Sequence, residues 1–518
     1  FMDKIQIRGL RSLTDTGIVE LKPINIVVGA NSSGKSTFLR SFPLLRQSIE
    51  KRTRGPILWN GDLVDFESFR TAVHNADLSD KIENEVEFKF KFDVRIGKRV
   101  FGGNYDAVKL AAGITVSQGK SNNVCYTKKY NLSLFGDHEI NFHMNEDGKI
   151  LKVESNYLKW DLAEATFKSQ TVETDSLLPI FEYPNRNYYY HTDGTENTAS
   201  AKLFVMIRDK ITLISGSSSK NKMEWMTSRI TSGLINNEEK LKLLSSLNST
   251  KKWAKTMSSW TIKNRDFNML ASLVDFFIVI KNSAIINSEL NSELRGVRYI
   301  APLRTSTERY YRYQDLNIDE LDHHGGNLGM FIANISRSWR KKLDEWTLDN
   351  FDFIIKEKIT TGHISINLEH SDTGVSDNIA DMGFGFSQVL PIIVQLWAVS
   401  SGYEKNYKKS ISNKILVAIE QPELHLHPKM QGLLAVIFTK AVSLAEENKI
   451  ELKLIVETHS PSLLSKFGDL IAMEELDQDN ISVALFEQDR KTRSSNISYS
   501  SYSDEGELLQ WPTGFFSY

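Results

Sequence analysis

Near the start of the chain, Gly29-Ala30-Asn31-Ser32-Ser33-Gly34-Lys35-Ser36-Thr37 has the residue types and spacing of a loop that cradles polyphosphate, G-x-x-x-x-G-K-[ST]. The glycines let the backbone curl until its N–H groups point at phosphate oxygens. A helix beginning at the lysine presents its positive end to the same anion. In such a loop Lys35 reaches the β- and γ-phosphates and the Ser36 hydroxyl ligates Mg²⁺. Gly29, Asn31, Ser32, Ser33, Gly34, Lys35, Ser36 and Thr37 are therefore candidate ATP-binding residues. The flanks fit: Ile24-Asn25-Ile26-Val27-Val28 predicts a buried strand, and Phe38-Leu39-Arg40 continues as a helix. A chance Gly/Ser turn has no reason to carry both.

Three later stretches add polar groups. Asp381-Met382-Gly383-Phe384-Gly385-Phe386-Ser387-Gln388 places small residues ahead of a long apolar helix, a second helix start open to phosphate or simply a helix cap. Ile415-Leu416-Val417-Ala418-Ile419-Glu420 reads as a buried parallel strand ending in an acid, where a nucleoside triphosphatase places its Mg²⁺-coordinating carboxylate. His425 and His427 follow at i, i+2, unlike the i, i+4 spacing of a helical zinc pair. Leu454-Ile455-Val456-Glu457-Thr458-His459-Ser460 is another strand ending in polar residues, and His459 could contact a γ-phosphate or position water.

The elements that must hold these groups follow from periodicity. Ile5-Gln6-Ile7 and Ile18-Val19-Glu20-Leu21 alternate like strands before the loop strand. From Glu85 to about Ser155 the period is two, as in Val86-Glu87-Phe88-Lys89-Phe90-Lys91-Phe92, which predicts an antiparallel sheet laid against the nucleotide-binding core. Residues 200 to 290 turn helical, with apolar helical spacing over Leu241–Leu247 and Leu270–Ile280. Tyr299–Arg304 predicts a return strand, Asn327–Asn350 helices, and Ile364–Leu368 a further strand. The expected fold is α/β, with boundaries at 1–200, 201–290 and 291–518.

Composition narrows the partners. A net charge of −2 gives no global pull toward nucleic acid, so any such site must be local. Between Arg208 and Arg265 there are 12 Lys/Arg against 4 Asp/Glu, with Trp225, Trp253 and Trp260 interleaved. That segment either tracks a nucleic-acid backbone and stacks bases, or is a solvated face over core tryptophans. The one cysteine, Cys125, excludes a disulfide framework and suits a reducing compartment. No apolar run approaches a membrane span, and the expected location is cytoplasmic, with no membrane partner.

The order of phosphate loop, small-residue helix start, acidic strand and histidine strand resembles the ABC-type ATPase head of SMC-like, RecF-like and OLD-like proteins. Within that class, DMGFGFSQVLP, IEQPELHLHP, VETHSPSLL and GELLQWPTGFF resemble a bacterial group of OLD-like AAA ATPases that includes the ATPase subunits of Septu-like and retron-associated anti-phage systems. The resemblance implies an ABC-type head with a mixed sheet, an antiparallel β lobe and a helical insertion. It implies a homodimer or higher oligomer sandwiching ATP, with Gly385, Ser387 and Gln388 facing a neighbour's γ-phosphate. Lys35, Ser36, Glu420 and His459 would serve their own site, with Ser36 and Glu420 on Mg²⁺. It further implies a separate nuclease subunit of HNH type, and nucleic acid (a retron RNA–DNA or DNA) along 208–265.

Two departures from that pattern bear on turnover. The position after Glu420 is Gln421, where strongly hydrolysing relatives carry a second acid; an amide orients water but cannot accept its proton. General-base assistance then falls to Glu423 or is lost, which predicts slow hydrolysis and a long-lived ATP state. Gly383 stands where many signatures carry serine. Glu474, Glu475, Asp477 and Asp479 read as a solvated turn, and the chain is not expected to be a nuclease itself. The competing expectation is a repair or chromosome-maintenance ATPase of SMC/RecF type that clamps DNA. Its long coiled coils would need a sustained heptad run, which is not evident here.

Overall fold

The computed structural model describes residues 2–74, 84–96, 107–120, 124–135, 138–157, 159–161, 176–182, 199–247, 249–302, 308–314, 318–371, 374–381, 384–404, 413–489 and 491–512. Gly383, Leu303, Arg304 and the end of the GELLQWPTGFF stretch lie outside them.

The central layer is a six-stranded sheet in the order Val297–Ile300, Lys414–Glu420, Glu451–Glu457, Ile24–Gly29, Ile481–Gln488, Ser495–Ser500. The first five strands are parallel and the last is antiparallel, so the sheet is mixed. The loop strand Ile24–Gly29 is buried at all six positions, as an apolar run with elements on both faces must be. Alternation divides the strands between two cores. Leu416 and Ala418 join one cluster, while Ile415, Val417 and Ile419 join the other. On the first face lie the helix Lys35–Glu50 and the lobes beyond it. The second face carries the helices Phe384–Ser400, Pro428–Glu447 and Pro461–Ala472, with the small antiparallel sheet of Phe353–Thr360 and His363–His370.

The period-two segment forms a nine-stranded sheet among the described residues, from Lys159–Asp161 through Glu85–Val94 to Lys4–Leu10 and Leu13–Asp15. Its strands pair antiparallel throughout, and Glu85–Val94 buries every second residue. Six helices from Ala199–Ser215 to Ser283–Arg295 pack on its other side, with Phe142 against Phe276 at 5.6 Å between ring centroids. The α/β class, the antiparallel lobe and the helical insertion are all present. The predicted helical stretch 327–350 is two helices, Leu328–Asn334 and Arg337–Phe351, separated at Ile335 and Ser336. Trp253 and Trp260 are core residues, while Trp225 is 53% exposed. No single helix among the described residues is long and apolar enough to cross a membrane.

Candidate nucleotide-binding site

The loop sits at the C-terminal edge of the parallel sheet, where open α/β sheets hold their ligands. Its backbone requires the glycines. Gly29 has φ +143°, and a Cβ there would stand 2.0 Å from the Phe486 carbonyl oxygen. Gly34 has φ +97° as the residue preceding the helix, and a Cβ would stand 2.6 Å from Ser495 Oγ. The turn brings Lys35 to the first position of its helix, with Ser36 and Thr37 following. Asn31 and Ser32 lie in the exposed part of the loop, and Ser32 has φ +64°.

The charged groups then converge. Lys35 is 3% exposed, and its Nζ donates to the Ala30 carbonyl at 2.6 Å, inside its own loop. Burial pushes its pKa down, against the attraction of Glu457 and Glu423. Ser36 Oγ donates to Glu457 Oε1 at 2.8 Å, and Gln421 Nε2 lies 3.4 Å from the same oxygen. Burial, followed by the nearby Glu420, pushes the Glu457 carboxyl up to about 7. Its second oxygen, Oε2, is buried without a hydrogen-bond partner among the described residues.

Parallel register explains why these acids meet. Lys414–Glu420 and Glu451–Glu457 are neighbours, and Glu420 pairs with Glu457 at the shared sheet edge. Glu420 is 4% exposed and fully engaged. Arg40, four residues beyond Ser36, donates from Nη2 to Oε1 at 2.6 Å and from Nε to Oε2 at 2.8 Å, and the Tyr299 hydroxyl donates to Oε2 at 2.7 Å. The hydrogen bond to Glu420 raises the Arg40 pKa; burial and the same carboxylate raise that of Tyr299. Gln421 turns out of the strand with φ +44°, its N–H donating to the Glu457 carbonyl at 2.9 Å. Glu423 Oε1 accepts from the His459 N–H at 2.6 Å, and burial raises its pKa. Burial lowers the His459 pKa, and its Nε2 is buried without a partner among the described residues.

Lys35, Ser36, Glu420, Gln421, Glu423 and His459 thus share one cluster. The helix start is placed differently. Ser387 and Gln388 are 2% and 3% exposed, turned into their own protomer, and Gly385 packs near Met430. His427 caps the helix Pro428–Glu447, and no group of three or more metal-ligating side chains occurs among the described residues. Glu475 pairs with Lys440 at 3.1 Å and Asp477 caps a short helical turn, as a solvated turn would. Sequence reasoning passed over Glu457, Arg40 and Tyr299. The signal for Glu457 was present: two apolar runs, each ending in glutamate, predict two acids at one edge if the strands are neighbours.

A family model described as AAA ATPase domain matches residues 1–464. The chain belongs to the AAA ATPase domain family. Nucleotide binding is a property of that family, and the donor set fits a magnesium nucleotide. Ser33 Oγ is buried in the loop without a partner among the described residues, Lys35 folds back on the loop, and Glu457 has an uncommitted oxygen. Over 175 residues the chain is 27% identical to Endonuclease GajA of Bacillus cereus (strain HuB5-5), covering 30% of this chain and 24% of that relative. The match therefore takes in less than a quarter of the relative's length. Two solved structures superpose weakly, both with a TM-score of 0.35. One is an SMC head bound to the C-winged helix domain of ScpA, 10% identical and covering 97% of this chain and 98% of that one. The other is the SMC head domain from Thermotoga maritima, 9% identical over 96% and 98%.

Proposed function

We propose that the protein binds ATP with Mg²⁺ at residues 29–37, hydrolyses it slowly, and acts as the nucleotide-sensing scaffold of a bacterial anti-phage complex that controls a separate nuclease subunit of HNH type. The observation that carries the nucleotide part is the self-closed loop. Lys35 spends its buried charge on Ala30, and Ser36 spends its proton on Glu457. A polyphosphate would take over the lysine and a metal ion the hydroxyl oxygen. Slow turnover follows from Gln421, an amide beside the buried acids that cannot accept a proton from water. Similarity to an endonuclease supports a place beside nucleic-acid cleavage.

Assembly would proceed through two heads closing on ATP. Gly385 and the start of the helix Phe384–Ser400 offer the anion contact, and Ser387 and Gln388 join it if the first turn opens. ATP would then hold a closed state whose loss releases the effector. The second reading, a repair-type ATPase that clamps DNA, is favoured by the exposed Trp225, with Lys222 and Arg229 one turn away on either side.

Purification of the tagged protein from its native operon tests the first reading. A stoichiometric nuclease, with or without a small RNA–DNA species, is the expected outcome. Recovery of the protein alone, or with bulk chromosomal DNA, would move the assignment to the clamp.

A further inference from the structure

We infer that Glu457, rather than Glu420, is the carboxylate that serves the metal ion of a bound nucleotide, and that Glu420 is a positioning residue. The inference rests on reading residues 29–37 as a magnesium-nucleotide site. Position in the sequence favours Glu420, because it ends the strand leading into the PEL turn. The geometry separates the two acids.

Mg²⁺ takes oxygen ligands in tight octahedral geometry and is held by one or two carboxylates together with phosphates and waters. A serine hydroxyl that ligates it offers a lone pair to the ion and still has a proton to donate. Ser36 gives that proton to Glu457 Oε1 at 2.8 Å. Glu457 therefore stands beside any ion the serine binds, and its Oε2, buried and unpartnered among the described residues, remains available to the ion or to a water on it.

Glu420 is committed elsewhere. Three donors hold it, two from the Arg40 fork and one from Tyr299, at 2.6 to 2.8 Å. A bidentate guanidinium–carboxylate pair with a 4% exposed acid is costly to break. Arg40 sits on the same helix as Ser36, four residues on. The fork thus pins the first turns of that helix to the acidic strand and fixes Ser36 opposite Glu457. Gln421 fits this division. Its amide approaches Glu457 Oε1 at 3.4 Å and adds no negative charge to compete for the ion.

A titration of a fluorescent ATP analogue, with Mg²⁺ and separately with EDTA, distinguishes the roles without measuring turnover. Wild-type protein is expected to bind in both conditions and more tightly with Mg²⁺. Glu457→Gln, an isosteric change, should keep the EDTA affinity and lose at least about 10-fold of the Mg²⁺ enhancement. Glu457→Asp should recover part of it, and Mn²⁺ bound with nucleotide, followed by electron paramagnetic resonance, should show the same order. Glu420→Gln releases Arg40 and should weaken binding equally in the two conditions, leaving the ratio intact. The division of roles is overturned if Glu420→Gln removes the enhancement while Glu457→Gln keeps it. Failure of the wild-type protein to bind in either condition would instead overturn the nucleotide reading, and this inference with it. Circular dichroism and a thermal melt of each variant without nucleotide serve as the folding control.

Discussion

In the helical insertion Asp275, 1% exposed, meets Lys240 at 2.5 Å and His138 of the β lobe at 3.3 Å, whereas at the sheet edge Glu457, equally buried, is met by the Ser36 hydroxyl and the Gln421 amide, with no cation paired to it among the described residues. Both acids have been taken out of water, which is costly for any charge. The first is closed by charge: a lysine that is itself 2% exposed neutralises it within the helical insertion, and His138 reaches the same carboxylate from the β lobe. Arg298 and Glu404, each 1% exposed, form a second closed pair at 2.6 Å beside the parallel sheet. Glu457 is left open, next to a lysine folded onto its own loop. Charge-paired acids tie packed elements together, whereas the acid beside residues 29–37 has no cation of its own among the described residues.

The sharpest way to break that comparison is to remove one member of the closed set. Asp275→Ala strands the Lys240 ammonium in the helical layer and should cost about 3–5 kcal/mol in a denaturant melt. A loss under about 1 kcal/mol would mean that the pair is not a structural tie. Next in size is Gln421→Glu, which supplies the missing base beside the open acid. Steady-state turnover should rise about 100-fold. An unchanged rate would mean that Glu423 or another group already accepts the proton.

The β lobe supplies an intermediate case in Cys125, where burial pushes the thiol up to about 11. Raising the pKa keeps the thiol neutral at pH 8, so alkylation should run about 100-fold slower than for an ordinary thiol and speed up as pH rises toward 11. An ordinary rate at pH 8 would show the side chain to be open to water. The smallest effect belongs to the open acid itself. Without ligand, Glu457→Gln removes a desolvated charge and should shift stability by no more than about 1 kcal/mol, in the stabilising direction. A loss comparable to that of Asp275→Ala would place Glu457 among the closed, structural charges.

What could be read in advance divides along the same line. The phosphate loop, the strands from Glu85 to Ser155 and the helices over 270–280 are written in local spacing, and they stand where that spacing puts them. The division of labour between Glu420 and Glu457 is not local. It depends on two strands 37 residues apart in sequence lying in parallel register, and on Arg40 and Tyr299 reaching Glu420 from other elements. Tryptophan roles were hidden for a similar reason. Trp253 and Trp225 sit in comparably basic helices, and only packing against neighbouring helices buries one and exposes the other. The inward turn of Ser387 and Gln388 is likewise set by what the helix Phe384–Ser400 packs on.

The central claim, that ATP at residues 29–37 closes two heads, is tested most directly by sedimentation velocity with and without Mg²⁺ and ATP. The account predicts a monomer-to-dimer shift on adding nucleotide for the wild-type protein and no shift for Lys35→Ala, which loses the buried ammonium proposed to meet the phosphates. The same sedimentation profile with and without ATP, or an equal shift for Lys35→Ala, would contradict it.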